Sequence, residues 1–132
     1  MKYVLDTHIL IWWLFGSDKL PSRYAELLAG IEKTGDQVGL SVISLWEILK
    51  LHQSGRITLK TSIDAWIESV EFDPFFRILD IDSRTVLESE RLGQGFHKDP
   101  ADRFISACTR IHGARLLTCD EQIIRSQAVA IA

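Results

Sequence analysis

The chain opens on a short apolar segment that ends in an aspartate, and this segment constrains the fold more than any other. Tyr3, Val4 and Leu5 stand in a row before Asp6 and Thr7. Such a run predicts a strand that is buried on both faces, in the middle of a parallel sheet covered by helices. Ligands of open α/β sheets bind at the carboxyl ends of the strands, where Asp6 would lie. Asp6 is therefore either a metal ligand or the N-cap of the helix that follows.

The other predicted strands and helices alternate along the chain. Apolar segments at 37–41, 76–81 and 115–120 predict strands, and the last of these again ends in an aspartate, Asp120. Helical patterns cover about 21–33, 42–53, 61–71, 83–92 and 100–112, and a terminal strand is predicted at 129–131. This alternation predicts a three-layer α/β fold with a mostly parallel central sheet flanked by helices. The length favours a single domain over residues 1–132.

The composition is that of an ordinary globular protein, with 46% hydrophobic and 25% charged residues. A net charge of −3 gives no general case for nucleic-acid binding, although local patches or a metal-neutralised site can still provide it. The longest apolar run, Ile9 to Phe15, is far shorter than the roughly 20 residues that span a bilayer. Cys108 and Cys119 lack metal-ligand spacing and are interpreted as buried thiols. We therefore expect a cytoplasmic protein without a membrane segment.

The apolar run after Asp6 has no polar face if it is helical. Its large side chains point in every direction around the helix axis, so one small core cannot cover them all. They are Ile9, Leu10, Trp12, Trp13, Leu14 and Phe15. We expect a second copy of the chain or a partner protein to cover the remainder.

Glu47 lies in the helix predicted at 42–53, on the flank of its apolar stripe. The stripe consists of Val42, Leu45, Trp46 and Leu49. This position is about one turn from the sheet edge and suits a metal ligand. Two structural interpretations stay open, because Ser44 and Glu47 match a capping box and Lys50 can pair with Glu47 at i+3.

Two further acids stand at the start of the helix predicted at 100–112. Asp99 as N-cap and Pro100 at the first helical position make an ordinary helix start. Asp102 is explained less well by this interpretation, because its carboxylate could point back across the helix start. Acids this close also repel each other unless a cation lies between them.

Asp6, Glu47, Asp102 and Asp120 come from separate elements, and a common position at one sheet edge would unite them. Clustered carboxylates in a partly buried pocket require a counter-ion. Ligands that are all oxygen favour Mg²⁺ or Mn²⁺ over zinc. Such an ion suits phosphodiester hydrolysis, since it lowers the pKa of an attacking water and stabilises charge on the phosphate.

Four motifs give the sequence a resemblance to PIN-domain ribonucleases, and among them to the VapC toxins of toxin–antitoxin pairs. The motifs are Tyr-Val-Leu-Asp-Thr-His at 3–8, Ser-Val-Ile-Ser-Leu-Trp-Glu-Ile at 41–48, His-Lys-Asp-Pro-Ala-Asp-Arg-Phe-Ile-Ser-Ala at 97–107 and Leu-Leu-Thr-Cys-Asp at 116–120. Each is weak alone, whereas their order and spacing are specific. The resemblance implies a PIN-like fold, a usually dimeric assembly, a VapB-like antitoxin partner and hydrolysis of RNA to 3′-hydroxyl and 5′-phosphate ends.

The resemblance also implies roles for individual residues. Asp6 and Asp102 would be the main metal ligands, Glu47 would bind metal or act as base, and Asp120 would hold a metal directly or through water. Thr7, Ser41 and Thr118 would donate hydrogen bonds around these ligands, with Asp99 as a helix cap or outer acid. A part for Asp99 or His97 in catalysis stays open, as does the number of metal ions.

A basic rim for RNA is expected from one of two groups. These are Lys50, His52, Arg56 and Lys60, or His97, Lys98 and Arg103. Two alternatives to a nuclease remain. A phosphoacceptor signalling domain would have adjacent acids after the first strand and a lysine after a late one, which this chain lacks. A catalytically inactive binding domain would lack one of the four acids, and all four are present.

Overall fold

The computed structural model describes all residues from Met1 to Ala132. Strands and helices alternate as the sequence predicts. In chain order they are β1 (Tyr3–Leu5), α1 (Thr7–Leu14), α2 (Ser22–Thr34), β2 (Val38–Ser41), α3 (Val42–Gln53), α4 (Ile63–Phe72), β3 (Phe76–Leu79), α5 (Ser83–Glu90), α6 (Pro100–Ile111), β4 (Arg115–Leu117) and α7 (Glu121–Ser126).

The strands form one parallel sheet in the order β3-β2-β1-β4. β1 is central, with Leu5 opposite Leu40 of β2 on one side and Leu117 of β4 on the other. Parallel neighbours require crossover connections, which the intervening helices supply. All four strands therefore deliver the residues that follow them to the same edge of the sheet, as predicted.

Both faces of the sheet are covered, because successive residues of β1 point to opposite sides. Leu5 packs in a cluster with Ile9, Leu28 and Leu40, whereas Val4 packs in a second cluster under α6 and α7. Val4 and Leu5 are both fully buried. The three-layer arrangement of helices, sheet and helices is thereby confirmed.

Gly39 in β2 is fixed by close packing against its neighbours. A Cβ added there would lie 2.7 Å from Met1 Sδ and 3.0 Å from Leu79 Cδ1 and Val4 Cγ2. Any larger residue would displace the Met1 side chain and press on the buried side chains of Leu79 and Val4.

Several local predictions differ from the structure. The predicted terminal strand at 129–131 contributes a single bridge between Ile131 and Leu116. The helix predicted at 83–92 ends at Glu90, and Asp82 caps its start through a capping box with Thr85. A short apolar stretch has the same sequence pattern whether or not it pairs with a neighbouring strand. The sequence therefore does not show how far such a stretch is paired.

The helices differ in how much of their surface the core covers. In α1, Ile9 and Leu10 are fully buried, while Leu14 and Phe15 at the C-terminal end are 41% and 49% exposed. The side chains between them pack on the core from the margin and are half-buried. None of the helices combines the length and apolar character that a membrane crossing needs.

Candidate metal centre

Asp6 and Thr118 meet because β1 and β4 are parallel neighbours. Asp6 is only 2% exposed, yet both of its carboxylate oxygens have donors. Oδ1 accepts from the Thr7 N–H at 2.8 Å, and Oδ2 accepts from the Thr118 hydroxyl at 2.6 Å. The Thr118 Oγ1 in turn accepts from the Asp120 N–H at 3.0 Å. Thr118 therefore connects two of the predicted ligands and holds the Asp6 carboxylate in one orientation.

His8 supports Asp6 from the side. The Cys119 N–H donates to His8 Nε2 at 3.0 Å, so the proton of the neutral ring lies on Nδ1, which is 3.4 Å from Asp6 Oδ2. The ring packs edge-on against Trp12 at 4.9 Å between centroids. These contacts give His8 a positioning role.

Asp120 and Asp99 each cap a helix, and each also lies at the site. Asp120 Oδ1 accepts from the backbone N–H groups of Gln122 and Ile123, which leaves Oδ2 without a protein donor. Asp99 Oδ1 accepts from the Ala101 N–H at 3.0 Å at the start of α6. For Asp120 the cap and the ligand interpretations are compatible, because one oxygen serves each.

Asp102 lies in the first turn of α6 with no hydrogen-bond donor. Its Oδ2 lies 3.1 Å from His97 Nε2, without the geometry of a hydrogen bond. His97 Nε2 is itself fully buried and has no other partner. Together with Asp120, these two residues present ligand atoms that all lie within 4.8 Å of one another.

Glu47 reaches the site from α3. The Thr7 hydroxyl lies within hydrogen-bond distance of both Glu47 Oε1 and, at 2.9 Å, Ser44 Oγ. A hydroxyl has one proton, so Thr7 donates to the carboxylate and Ser44 donates to Thr7. Thr7 therefore bonds directly to one of the predicted metal ligands. The capping-box interpretation of Ser44 and Glu47 is wrong, because α3 begins at Val42 with Ser41 as its N-cap.

The electrostatics of the cluster favour the binding of a cation. Burial raises the pKa of Asp102 to about 8, and the carboxylates of Asp6, Asp99, Asp120 and Glu47 add to this shift. Burial is also the main cause that raises the pKa of Asp6 and of Glu47, with Asp6 repelling Glu47 in addition. A bound dication would offset the repulsion between these carboxylates. The free oxygens of Asp102 and Asp120 and the unpartnered nitrogen of His97 form a donor set that fits such an ion.

The structure separates the predicted residues into two groups. Asp6, Glu47, Asp102 and Asp120 interact electrostatically, and Thr7 and Thr118 bond to them. Ser41 touches none of these acids and caps α3 by accepting from the Ile43 N–H at 3.3 Å. Ser44, and not Ser41, contacts Thr7 beside Glu47. The spacing of three residues between Ser44 and Glu47 is the sequence feature that could have indicated this. His97 belongs to a loop, and no periodicity could place it.

One residue of the predicted basic groups, Arg103, has structural contacts. Arg103 donates to the backbone oxygens of Ser89 and Phe96, which fixes the loop before α6. It is therefore not free to bind RNA. Lys50 and Arg56 of the other group line an open cleft beside Glu47.

The sequence is similar to one protein family and to one of its characterised members. The sequence model described as the PIN domain matches residues 3–128. Ribonuclease VapC22 of Mycobacterium tuberculosis is 28% identical over 120 residues, which cover 91% of this chain and 88% of that protein.

Solved structures share the fold at lower identity. VapBC2 of Rickettsia felis, bound to a DNA fragment from its promoter, superposes with a TM-score of 0.70 at 19% identity, over 100% of this chain and 98% of that one. A toxin–antitoxin complex from Klebsiella pneumoniae gives a TM-score of 0.66 at 20% identity, over 98% and 96%. With the family match extending over nearly the whole sequence, the chain belongs to the PIN domain family.

Proposed function

We propose that this protein is an endoribonuclease that requires Mg²⁺ or Mn²⁺ and acts as the toxin of a toxin–antitoxin pair in the cytoplasm. The observation that carries the proposal is the carboxylate cluster, in which burial first and the neighbouring carboxylates second raise the pKa of Asp102 to about 8. The resemblance to ribonuclease VapC22 and to the toxin–antitoxin complex supports the choice of RNA and of this biological role.

In this proposal the chain contributes a preorganised set of ligands. Asp6 is held by Thr7 N–H and the Thr118 hydroxyl, so little reorganisation is needed when it binds an ion. Asp102 and Asp120 each offer an oxygen without a protein donor. When bound, the dication supplies Lewis acidity and a water of lowered pKa.

Glu47 is suited to accept the proton of the attacking water. Its pKa is raised by burial and by Asp6, which makes the carboxylate a stronger base than an exposed glutamate. The Thr7 hydroxyl fixes one oxygen and leaves Oε2 to take the proton. The reaction would leave 3′-hydroxyl and 5′-phosphate ends on the RNA.

A homodimer and a VapB-like antitoxin complete the proposal. The C-terminal end of α1 supports it, since Leu14 and Phe15 are 41% and 49% exposed although both are large and apolar. A second chain that covers this end would bury them. A basic side chain of the antitoxin could also pair with the carboxylates and inhibit the enzyme.

The test is cleavage of total cellular RNA by the purified protein, with Mg²⁺ or with EDTA, followed by mapping of the cut ends. Asp6→Asn and Asp102→Asn should abolish cleavage while the proteins stay folded. Asp80→Asn is the matched control. Asp80 is an exposed acid that follows β3 at the same sheet edge, and β2 separates β3 from β1, after which Asp6 lies. Wild-type cleavage by either site variant at equal metal concentration would refute the proposed site, and an inactive wild type would favour a binding domain.

A further inference from the structure

The outward face of α3 carries an unusual combination of side chains. Ile43, Trp46, Glu47 and Lys50 recur at helical spacing along it, while the opposite face buries Ser44, Leu45 and Ile48. The sequence pattern places Trp46 on one apolar stripe with Leu45 and Leu49, whereas in the structure Leu45 is buried and Trp46 is 51% exposed. A tryptophan left in solvent beside a cluster of acids requires an explanation.

Two clefts adjoin along this face. The first, of about 640 Å³, lies between α3 and the start of α6 and includes Trp46, Glu47 and Asp99 in its lining. The second, of about 450 Å³, continues towards the end of α3 and includes Trp46, Glu47, Lys50 and Arg56. Both contain Trp46 and Glu47, so together they form one groove, called here the α3 groove. It runs from the carboxylate cluster to a basic end.

The charges of the α3 groove are divided between its ends. Glu47 and Asp99 lie at the acidic end, where a dication is proposed to bind. Lys50 and Arg56 lie at the other end, and neither has a carboxylate within 4.0 Å. In a protein with a net charge of −3, two unpaired cations side by side form a local site for anions.

Trp46 lies between the two ends. The Lys50 ammonium is 5.4 Å from the centre of its ring, so the aromatic surface and the positive charge are presented together. Single-stranded nucleic acids are bound by this combination, in which a base stacks on the aromatic ring and cations contact the phosphates. A protein helix would fill the apolar surface but would leave Lys50 and Arg56 without anionic partners unless it were acidic.

We propose that the α3 groove holds the single-stranded RNA segment that adjoins the cleaved bond. One base stacks on Trp46, and the phosphates beyond it contact Lys50 and Arg56. This inference rests on the proposed ribonuclease function and adds to it the path of the substrate. Trp46 is thereby assigned to substrate binding, outside the carboxylate cluster.

The test is binding of a labelled single-stranded oligoribonucleotide, measured by fluorescence anisotropy at several salt concentrations. All proteins carry Asp6→Asn to prevent cleavage. Trp46→Ala should weaken binding by about 5- to 150-fold, the effect of losing one base stack, and Trp46→Phe should restore most of it. Lys50→Ala combined with Arg56→Ala should make the slope of log Kd against log salt shallower by about 1.4, roughly 0.7 for each phosphate contact on a single strand.

Lys33→Ala is the matched control, because Lys33 is an exposed lysine of α2 that lines neither cleft. It should leave both affinity and slope close to those of the parent. Trp46 and Lys50 are exposed, so their replacement should leave the melting temperature nearly unchanged.

A second measurement separates this inference from the proposed function. With the active protein, Trp46→Ala should raise KM for a long RNA by a larger factor than it lowers kcat/KM for a substrate too short to reach Trp46. If wild type cuts RNA but the groove variants bind RNA as tightly as the parent and with the same salt slope, the groove assignment is wrong and the proposed ribonuclease function stands. Loss of binding to a co-expressed antitoxin with unchanged RNA binding would make the groove a protein-binding site and overturn the assignment. A wild type that neither binds nor cuts RNA would overturn both.

Discussion

Asp102→Asn should make the metal-free protein more stable, and the gain should grow with pH. The carboxyl group of Asp102 has a pKa of about 8 in the folded protein against an ordinary value of 3.8. Between these values the folded state binds more protons than the unfolded state does. Raising the pH through this window therefore lowers the free energy of unfolding of the wild type. Asparagine cannot ionise and escapes this loss.

The size of the effect follows from the pKa difference. A shift of about 4 units corresponds to roughly 5–6 kcal/mol at full strength. The Asp102 side chain is 15% exposed, and water that reaches it reduces the cost of ionisation, so about 2 kcal/mol is the expected remainder. Unfolding entropy of roughly 2.1 cal/mol/K per residue gives about 0.28 kcal/mol/K for 132 residues. The expected gain in melting temperature is then about 7 °C at pH 8.5, falling to about half of this near pH 4.5 and towards zero below the ordinary pKa of 3.8.

The assay is thermal unfolding followed by circular dichroism, in EDTA, at several values between pH 4.5 and pH 8.5. Asp80→Asn is the control for the loss of an exposed acid, and its difference from wild type should be small and independent of pH. Mg²⁺ or Mn²⁺ should raise the melting temperature of wild type far more than that of Asp102→Asn. A stability difference that does not change with pH, or an asparagine variant that is less stable at pH 8.5, would refute the reasoning.

Three further variants test separate contacts. Thr118→Val removes a hydrogen-bond donor from the buried Asp6 carboxylate and should lower the free energy of unfolding at pH 7 by about 1.5–3 kcal/mol in chemical denaturation. The control Thr109→Val removes only a hydrogen bond within α6 and should cost about 1 kcal/mol. Equal losses would count against a special role for Thr118. His97→Gln should lower the affinity for Mn²⁺ more than that for Mg²⁺ in calorimetric titration, since nitrogen ligands favour the later metals, and an equal change would show that His97 is no ligand. Phe15→Glu should shift the sedimentation of a dimer towards the monomer, and an unchanged profile would place the contact elsewhere.

The architecture could be predicted because each strand carries its own signal. Val4 and Leu5 are both apolar, which indicates burial on both faces and hence a central parallel strand, as observed. The end of β1 at Asp6 and the stretch after β4 up to Asp120 place two acids at one edge by topology alone. These inferences need only local patterns and the geometry of parallel sheets.

The misplaced residues depend on contacts between distant elements. The stripe predicted for α3 included Trp46, because hydrophobicity cannot distinguish a core tryptophan from one that faces a groove. Ser41 and Ser44 are three residues apart on the same segment, and only the start of α3 at Val42 decides that Ser44 contacts Thr7. The position of His97 beside Asp102 depends on the loop that Arg103 fixes, and the sequence contains no period that reports it.

The central proposal is that carboxylates from separate elements bind a catalytic dication at the sheet edge. The most direct measurement is an anomalous difference map from crystals of the protein soaked in Mn²⁺. We expect a peak in contact with Asp102 and Asp120, on the side of Asp6, and its disappearance in crystals of Asp102→Asn. No peak at this edge at saturating Mn²⁺, or a peak bound by other acids while Asp102 and Asp120 stay free, would contradict it.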